Sequence, residues 1–180
     1  MNAIVAVFGS SQTRPHDPEY ADARSLGAAL ARAGFGVATG GYAGTMEAVS
    51  EGAASEGGHV IGITAPTVFP GRAGANRFVD REVAAATISE RIHRLVDLAN
   101  AHVALPGSLG TVTELLVAWN DGHVAPFAGR SPKPLVAVGT GWAPLIDLLS
   151  SMFGADASAV HQVASVDEVV PHLSSLPGLA

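Results

Sequence analysis

Short apolar runs that break off into glycine-rich turns, each followed by a stretch of helical periodicity, constrain the fold of this chain more than any other feature. Ala3-Ile4-Val5-Ala6-Val7-Phe8 is closed by Gly9-Ser10-Ser11, Gly36 to Thr39 runs into Gly40-Gly41-Tyr42-Ala43-Gly44, and Ala101 to Leu105 meets Pro106 to Gly110. Runs this short, with no polar residue at every second place, predict strands buried on both faces. Between them, Tyr20, Ala23, Leu26, Ala29, Leu30 and Ala33 recur at helical spacing from Pro18 to Ala33, and Gly34 stands where that helix ends. Further helices are predicted over Thr45 to Glu56, Ser89 to Ala99, Thr111 to Asn120, Ala143 to Met152 and Val166 to Leu176. Further strands are predicted over His59 to Ile63, Val83 to Thr87, Pro134 to Val138 and Val160 to Val163. Strands alternating with helices imply right-handed crossovers and a Rossmann-like α/β fold: a doubly wound, mostly parallel sheet flanked by helices. The Pro- and Gly-bearing stretch from Thr64 to Asn76 is expected as a loop long enough to serve as a functional flap.

Composition supports this reading. The 180 residues are 48% hydrophobic and 14% charged, which suits one domain over 1–180 whose sheet is covered on both faces. A net charge of -6 offers no general attraction to nucleic acid, so a bound phosphate must be gripped locally by backbone amides and a few basic groups. Cysteine is absent, which excludes a thiol nucleophile, a disulfide framework and Cys-ligated zinc. The seven histidines show no H-E-x-x-H spacing, so no metal is expected. Met1 to Phe8 lacks the basic region and long apolar core of a signal peptide, and no apolar run could span a bilayer, so a cytoplasmic protein without membrane partners is expected.

In open parallel sheets, ligands gather outside the carboxyl ends of the strands, where helix N-termini present free N–H groups to anions. Three turns here fit such a place: Gly9-Ser10-Ser11, Gly40 to Thr45, and Pro106-Gly107-Ser108-Leu109-Gly110-Thr111. Glycine admits close backbone approach, and Ser or Thr adds a hydroxyl, although strand-to-helix turns need glycines for geometry alone. The last turn is the candidate phosphate cradle. The dinucleotide fingerprint G-x-G-x-x-G and the Walker motif are both missing, which weighs against ordinary dehydrogenases and ATPases. Two roles are open to Glu114: a carboxylate beside a sugar one turn beyond Thr111, or the end of a capping box Thr111-Val112-Thr113-Glu114. The same box pattern recurs at Ser165-Val166-Asp167-Glu168, where no chemistry is expected. Arg91 and Arg94, on the preceding helix, are either solvated surface or basic groups serving a phosphate.

Leu105-Pro106-Gly107-Ser108-Leu109-Gly110-Thr111-Val112-Thr113-Glu114 resembles the P-G-G-x-G-T-x-x-E signature of the Lonely Guy family, whose members are cytokinin-activating nucleoside 5'-monophosphate phosphoribohydrolases. Gly40 to Val49 resembles that family's earlier glycine turn, Glu90-Arg91 falls at the expected place upstream of the signature, and Gly9-Ser10-Ser11 suits its opening turn. The resemblance covers Ala3 to roughly Leu173 and implies a catalytic pair, Arg91 and Glu114. It also implies an AMP-like nucleotide held by Ser10, Gly40, Gly41, Gly44, Thr45, Gly107, Ser108, Gly110 and Thr111, no cofactor, and a homodimer. Ser108 stands for the second glycine of the signature, Ile92 where the hydrolases commonly carry Lys, and Glu47 where they often carry Gly. These differences shift the resemblance towards a bacterial branch whose neighbours include molybdenum cofactor carrier-like proteins, which bind a pterin without turning it over. The alternative to a hydrolase is therefore a non-hydrolytic nucleotide or cofactor carrier.

Overall fold

A computed structural model of the chain describes residues 3–72 and 74–179. Met1 of the leader reading, Ala73 of the 64–76 loop and Ala180 at the end of the 1–180 domain lie outside the described residues. Seven strands form one sheet: β1 (Ile4–Phe8), β2 (Gly36–Thr39), β3 (Val60–Thr64), β4 (Arg81–Ala84), β5 (Ala101–Ala104), β6 (Leu135–Val138) and β7 (Val160–Val163). Their order is β4-β3-β2-β1-β5-β6-β7, and every pairing is parallel, so the expected mostly parallel sheet is wholly parallel among the described residues. Winding runs outward from β1 to β4 on one side and from β5 to β7 on the other. The order therefore reverses between β1 and β5, opening a crevice at their carboxyl ends.

Side-chain alternation in the strands builds two cores. Val5 and Val7 of β1 point with Val37, Val60, Val103 and Val136 towards one face. Ala6 and Phe8 point with Ala38, Ile61, Ala104 and Ala137 towards the other. The first face is covered by α1 (Pro18–Arg32), α2 (Thr45–Ser55) and α6 (Val169–Ser174), and the second by α3 (Ile88–Leu98), α4 (Leu109–Val124) and α5 (Ala143–Phe153). His102, fully buried in β5 with Nε2 bonded to the Val96 carbonyl, is a core histidine whose pKa burial drives down to about 4. No helix among the described residues is long and apolar enough to cross a membrane.

Most ends shift by a residue or so from the sequence reading, α4 runs on to Val124 rather than Asn120, and three further differences have a visible cause. The edge strand β4 covers Arg81–Ala84 rather than Val83 to Thr87, because Thr87 caps α3: its side chain accepts from the Glu90 N–H at 3.1 Å. Helix α4 begins at Leu109 rather than Thr111, because Ser108 is its cap. The last helical stretch opens as a 3-10 turn, Val166–Glu168, closed by the Ser165–Glu168 capping box that the sequence pattern predicts.

Helices α1 and α2 meet more closely than side chains allow elsewhere. A Cβ on Gly27 would sit 2.1 Å from the Val49 carbonyl oxygen, and one on Gly52 would sit 1.9 Å from that of Arg24. Each helix thus rests a glycine on the backbone of the other, which draws the start of α2 and its glycine turn tightly over the sheet. Gly27→Ala is expected to lower stability by about 1–3 kcal/mol, because backbone cannot yield as a side chain can. Gly122→Ala in α4, whose new Cβ would meet Pro132 at an ordinary 3.8 Å, is expected to raise it by about 0.5–1 kcal/mol. Urea unfolding of the two variants against the parent chain checks both signs.

Candidate nucleotide site

The glycine turns assemble along the carboxyl edge of β2, β1 and β5. After β1, the Ser10 carbonyl accepts from Thr45 N–H at 2.8 Å, and the Ser10 hydroxyl accepts from Gln12 N–H at 3.1 Å. Gly44 has φ +75°, and a Cβ there would lie 2.5 Å from the Ser10 carbonyl oxygen. Thr45, almost wholly buried at the start of α2, shares a 3.1 Å hydrogen bond with the Thr13 hydroxyl. The turns after β1 and β2 are therefore one locked unit holding Ser10, Gly44 and Thr45 together.

The turn after β5 leaves Pro106, Gly107, Ser108, Leu109 and Gly110 exposed above the N-terminus of α4. The Ser108 side chain accepts from the Thr111 backbone, while Ser108 N–H donates to Thr111 Oγ1 at 3.2 Å. A Cβ on Gly107 would fall 2.1 Å from Thr111 Oγ1, so no side chain can occupy that place without breaking the cap. The cap takes up the N–H groups of Ser108 and Thr111, while Leu109 and Gly110 lie exposed at the start of α4, where a helix N-terminus favours an anion. A cavity of about 200 Å³, lined in part by Thr45, Leu105, Pro106 and Gly139, adjoins both this turn and the Ser10–Thr45 unit.

The capping box places Ser108 and Thr111, not Thr111 and Glu114, at its two ends, so the capping role left open for Glu114 does not apply. One turn deeper, Glu114 is 8% exposed and points its carboxylate at Arg91, with Oε1 3.4 Å from Nη1. Arg91 is likewise 8% exposed, so the solvated-surface reading fails for it. The same reading holds for Arg94, which lies at the surface against Glu90 at 2.7 Å. The guanidinium of Arg91 also donates from Nε to the Ile63 carbonyl at 2.8 Å and from Nη2 to the Gly40 carbonyl at 3.0 Å. Nη2 further lies 3.6 Å from the sulfur of Met46. A Cβ on Gly40 would collide with Nη2, so the glycine at the end of β2 makes room for the arginine. Gly41, at φ +76°, turns the chain so that its N–H meets the Thr39 hydroxyl and its carbonyl accepts from Asn76.

Electrostatics follow from this enclosure. Desolvation pushes the Glu114 carboxyl up to about 7, against the opposing pull of Arg91. Desolvation also lowers the Arg91 guanidinium from its ordinary value, with Glu114 restraining the shift and Arg72 adding to it. Arg91 stays charged, and Glu114 becomes a carboxyl group able to exist in either protonation state near neutrality. Among the described residues, no group of three or more His, Cys, Asp or Glu is placed to hold a metal ion.

Sequence reasoning missed three participants. Tyr42 sits within a glycine turn, yet its hydroxyl accepts from Ala65 N–H at 2.8 Å and its ring lies 5.7 Å from the Arg91 guanidinium carbon. Asn76 clamps the Gly41 and Tyr42 carbonyls, and Met46 packs on Arg91. One further signal was readable for Arg91 itself: it precedes Leu95 by four residues, and so lies on the buried face of α3.

Comparison with known proteins supplies the family. Residues 2–142 match the model of the SLOG cluster4 family. A cytokinin riboside 5'-monophosphate phosphoribohydrolase of Mycobacterium marinum is 37% identical over 136 residues, covering 74% of this chain and 69% of the relative. The protein of the same name in Mycobacterium tuberculosis is 34% identical over 117 residues, covering 64% of this chain and 60% of that one. Among solved structures, the molybdenum cofactor binding protein of Rippkaea orientalis superposes with a TM-score of 0.77 at 22% identity over 97% of both chains. That likeness concerns the fold. With a family model spanning most of its length and relatives of this identity, the chain belongs to the SLOG cluster4 family, in the Lonely Guy group of Rossmann-like proteins.

Proposed function

We propose that this chain is a cytoplasmic nucleoside 5'-monophosphate phosphoribohydrolase, cleaving the N-glycosidic bond of AMP or a cytokinin nucleotide to free base and ribose 5-phosphate. The observation that carries the proposal is the buried Arg91–Glu114 pair one helical turn beneath the exposed glycine turn of α4. A phosphate at the exposed turn of Gly107 to Gly110 would bring the attached ribose towards Glu114, one helical turn on. Cleavage develops oxocarbenium character at the sugar, which a carboxylate stabilises while it positions and deprotonates water for attack at that carbon. Four of the five N–H donors of Arg91 are directed to Ile63, Gly40, Met46 and Glu114. Arg91 thus aims the carboxylate and leaves one donor for the nucleotide. The phosphoribohydrolase names of the two mycobacterial relatives support the same reading. A carboxyl group buried against an arginine and able to change protonation near neutrality favours chemistry over carriage alone.

Glu114→Gln keeps the shape of the site and removes the base. It is expected to cut base release from AMP by at least about 10²–10⁴-fold while AMP binding changes little, as read by chromatography of products and by calorimetry. Parallel loss of binding and turnover would make Glu114 structural, and no turnover by the parent chain with ligand retained would favour the carrier.

The raised Glu114 pKa fixes the pH profile. Water activation needs the carboxylate, so kcat/KM is expected to fall on acidification with an apparent pKa near 7 and to reach a plateau above it. A limb near the usual carboxylate value of about 4.3 would show that the titrating carboxyl is not raised by burial.

Two copies are proposed to pair across the outer side of α4 and its neighbour α5. Leu109 at the start of α4, Phe127 just beyond its end, and Met152 and Phe153 at the end of α5 are 80%, 85%, 66% and 73% exposed, apolar side chains that a second copy could cover. Sedimentation is expected to give a dimer for the parent chain and a monomer for Phe127→Glu.

A further inference from the structure

The loop between β3 and β4 carries a basic side chain that the buried pair does not consume. The guanidinium carbon of Arg72 lies 4.5 Å from the centre of the Tyr42 ring and 4.4 Å from that of Phe69, and the two rings meet edge to face at 5.7 Å. Arg24, Arg32, Arg94 and Arg130 each pair with a surface carboxylate, and Arg91 pairs with Glu114. Among the described residues, Arg72 pairs with none. A half-buried guanidinium held by ring faces alone keeps its remaining surface and its donors for another partner.

This assembly is held in place. Tyr42 is fixed through its hydroxyl by Ala65 N–H, and Asn76 donates from its backbone and side chain to the Gly41 carbonyl at 2.7 and 3.2 Å and to the Tyr42 carbonyl at 3.0 Å. The Tyr42 ring also lies 5.7 Å from the Arg91 guanidinium carbon, so one ring links Arg72 to the buried pair. Sheet order then sets the distances. The candidate phosphate turn follows β5, Arg91 grips the ends of β2 and β3, and the Arg72 loop follows β3. Neighbouring strands lie about 4.8 Å apart, so the step from β5 across β1 and β2 to β3 is about 14 Å along the carboxyl edge. An extended nucleoside monophosphate has a comparable reach.

We infer that Arg72, carried on Tyr42 and Phe69, is the base-recognition residue of the nucleotide site. A planar nucleobase stacks on its guanidinium, the phosphate rests on Gly107 to Thr111, and the glycosidic carbon lies over Glu114 between them. This inference rests on the nucleotide reading of the same site and adds the selectivity: contact grows with ring area, so purine nucleotides outrank pyrimidine nucleotides, and ribose 5-phosphate gains nothing from Arg72.

The test measures equilibrium binding, by calorimetry, of AMP, CMP and ribose 5-phosphate to a Glu114→Gln chain, alone and combined with Arg72→Ala or Arg72→Lys. Arg72→Ala is expected to weaken AMP by about tenfold and CMP by less, and to leave ribose 5-phosphate within about twofold. Arg72→Lys, which keeps the charge and loses the plane, is expected to weaken AMP nearly as much as Arg72→Ala. Equal weakening of AMP and ribose 5-phosphate, full rescue by Lys, or no change in AMP binding would each overturn the inference. If neither the Glu114→Gln chain nor the chain with Glu114 intact binds AMP, the nucleotide reading falls, and this inference with it. If the chain with Glu114 intact binds AMP without releasing base, only the hydrolytic reading falls, and the Arg72 comparison still decides the base site.

Discussion

A single buried guanidinium organises the functional end of this molecule. Arg91 reaches from α3 to the carbonyls that close β2 and β3, to a sulfur on α2 and to a carboxylate on α4. Burying such a charge costs several kcal/mol unless its donors find partners, and here two backbone oxygens, one carboxylate and a sulfur take four of the five. The glycine at position 40 follows from the same demand, since its missing side chain is the space the guanidinium fills. So does the state of Glu114, for which Arg91 offsets part of the desolvation that raises its pKa.

Around this centre, the backbone supplies what side chains cannot. The wholly parallel order brings three strand-to-helix turns to one edge, and the reversal between β1 and β5 leaves a crevice between two of them. Helix α2 starts at its glycine turn because α1 lets it approach to backbone contact at Gly27 and Gly52. The chain carries net negative charge, yet this edge gathers arginines and helix N-termini, so the attraction that the proposed function requires for a phosphate would be local. The aromatic pair Tyr42 and Phe69 extends the edge beyond the ion pair and carries the Arg72 guanidinium there.

Much of the architecture was legible because it depends on near neighbours in sequence. The apolar runs ending in glycine marked the strands, and periodicity marked the helices to within a few residues. Where boundaries slipped, a cap was the reason: Ser108 and Thr87 each moved a helix start, and the exposed edge strand Arg81–Ala84 offered no apolar pattern to read. Arg91 and Arg94 show the limit for the site. They are the same residue type three positions apart on one helix, yet one is sealed in the core and the other is solvated. Position on the amphipathic face separated them in principle; composition could not.

The sequence by itself determined the strand-to-helix alternation, the buried character of the sheet, the glycine turns and the family resemblance, because short-range sterics, periodicity and motif order carry all of these. Only the tertiary structure decided that Glu114 faces an arginine rather than capping its own helix, and that Tyr42 and Asn76 belong to the same centre. Those contacts join residues 23 to 51 positions apart, among them Arg91 with Glu114, Asn76 with Tyr42 and Arg91 with Gly40. Their distances depend on the order in which strands lie beside one another in the sheet, and that order is a property of the whole fold that no local window of sequence contains.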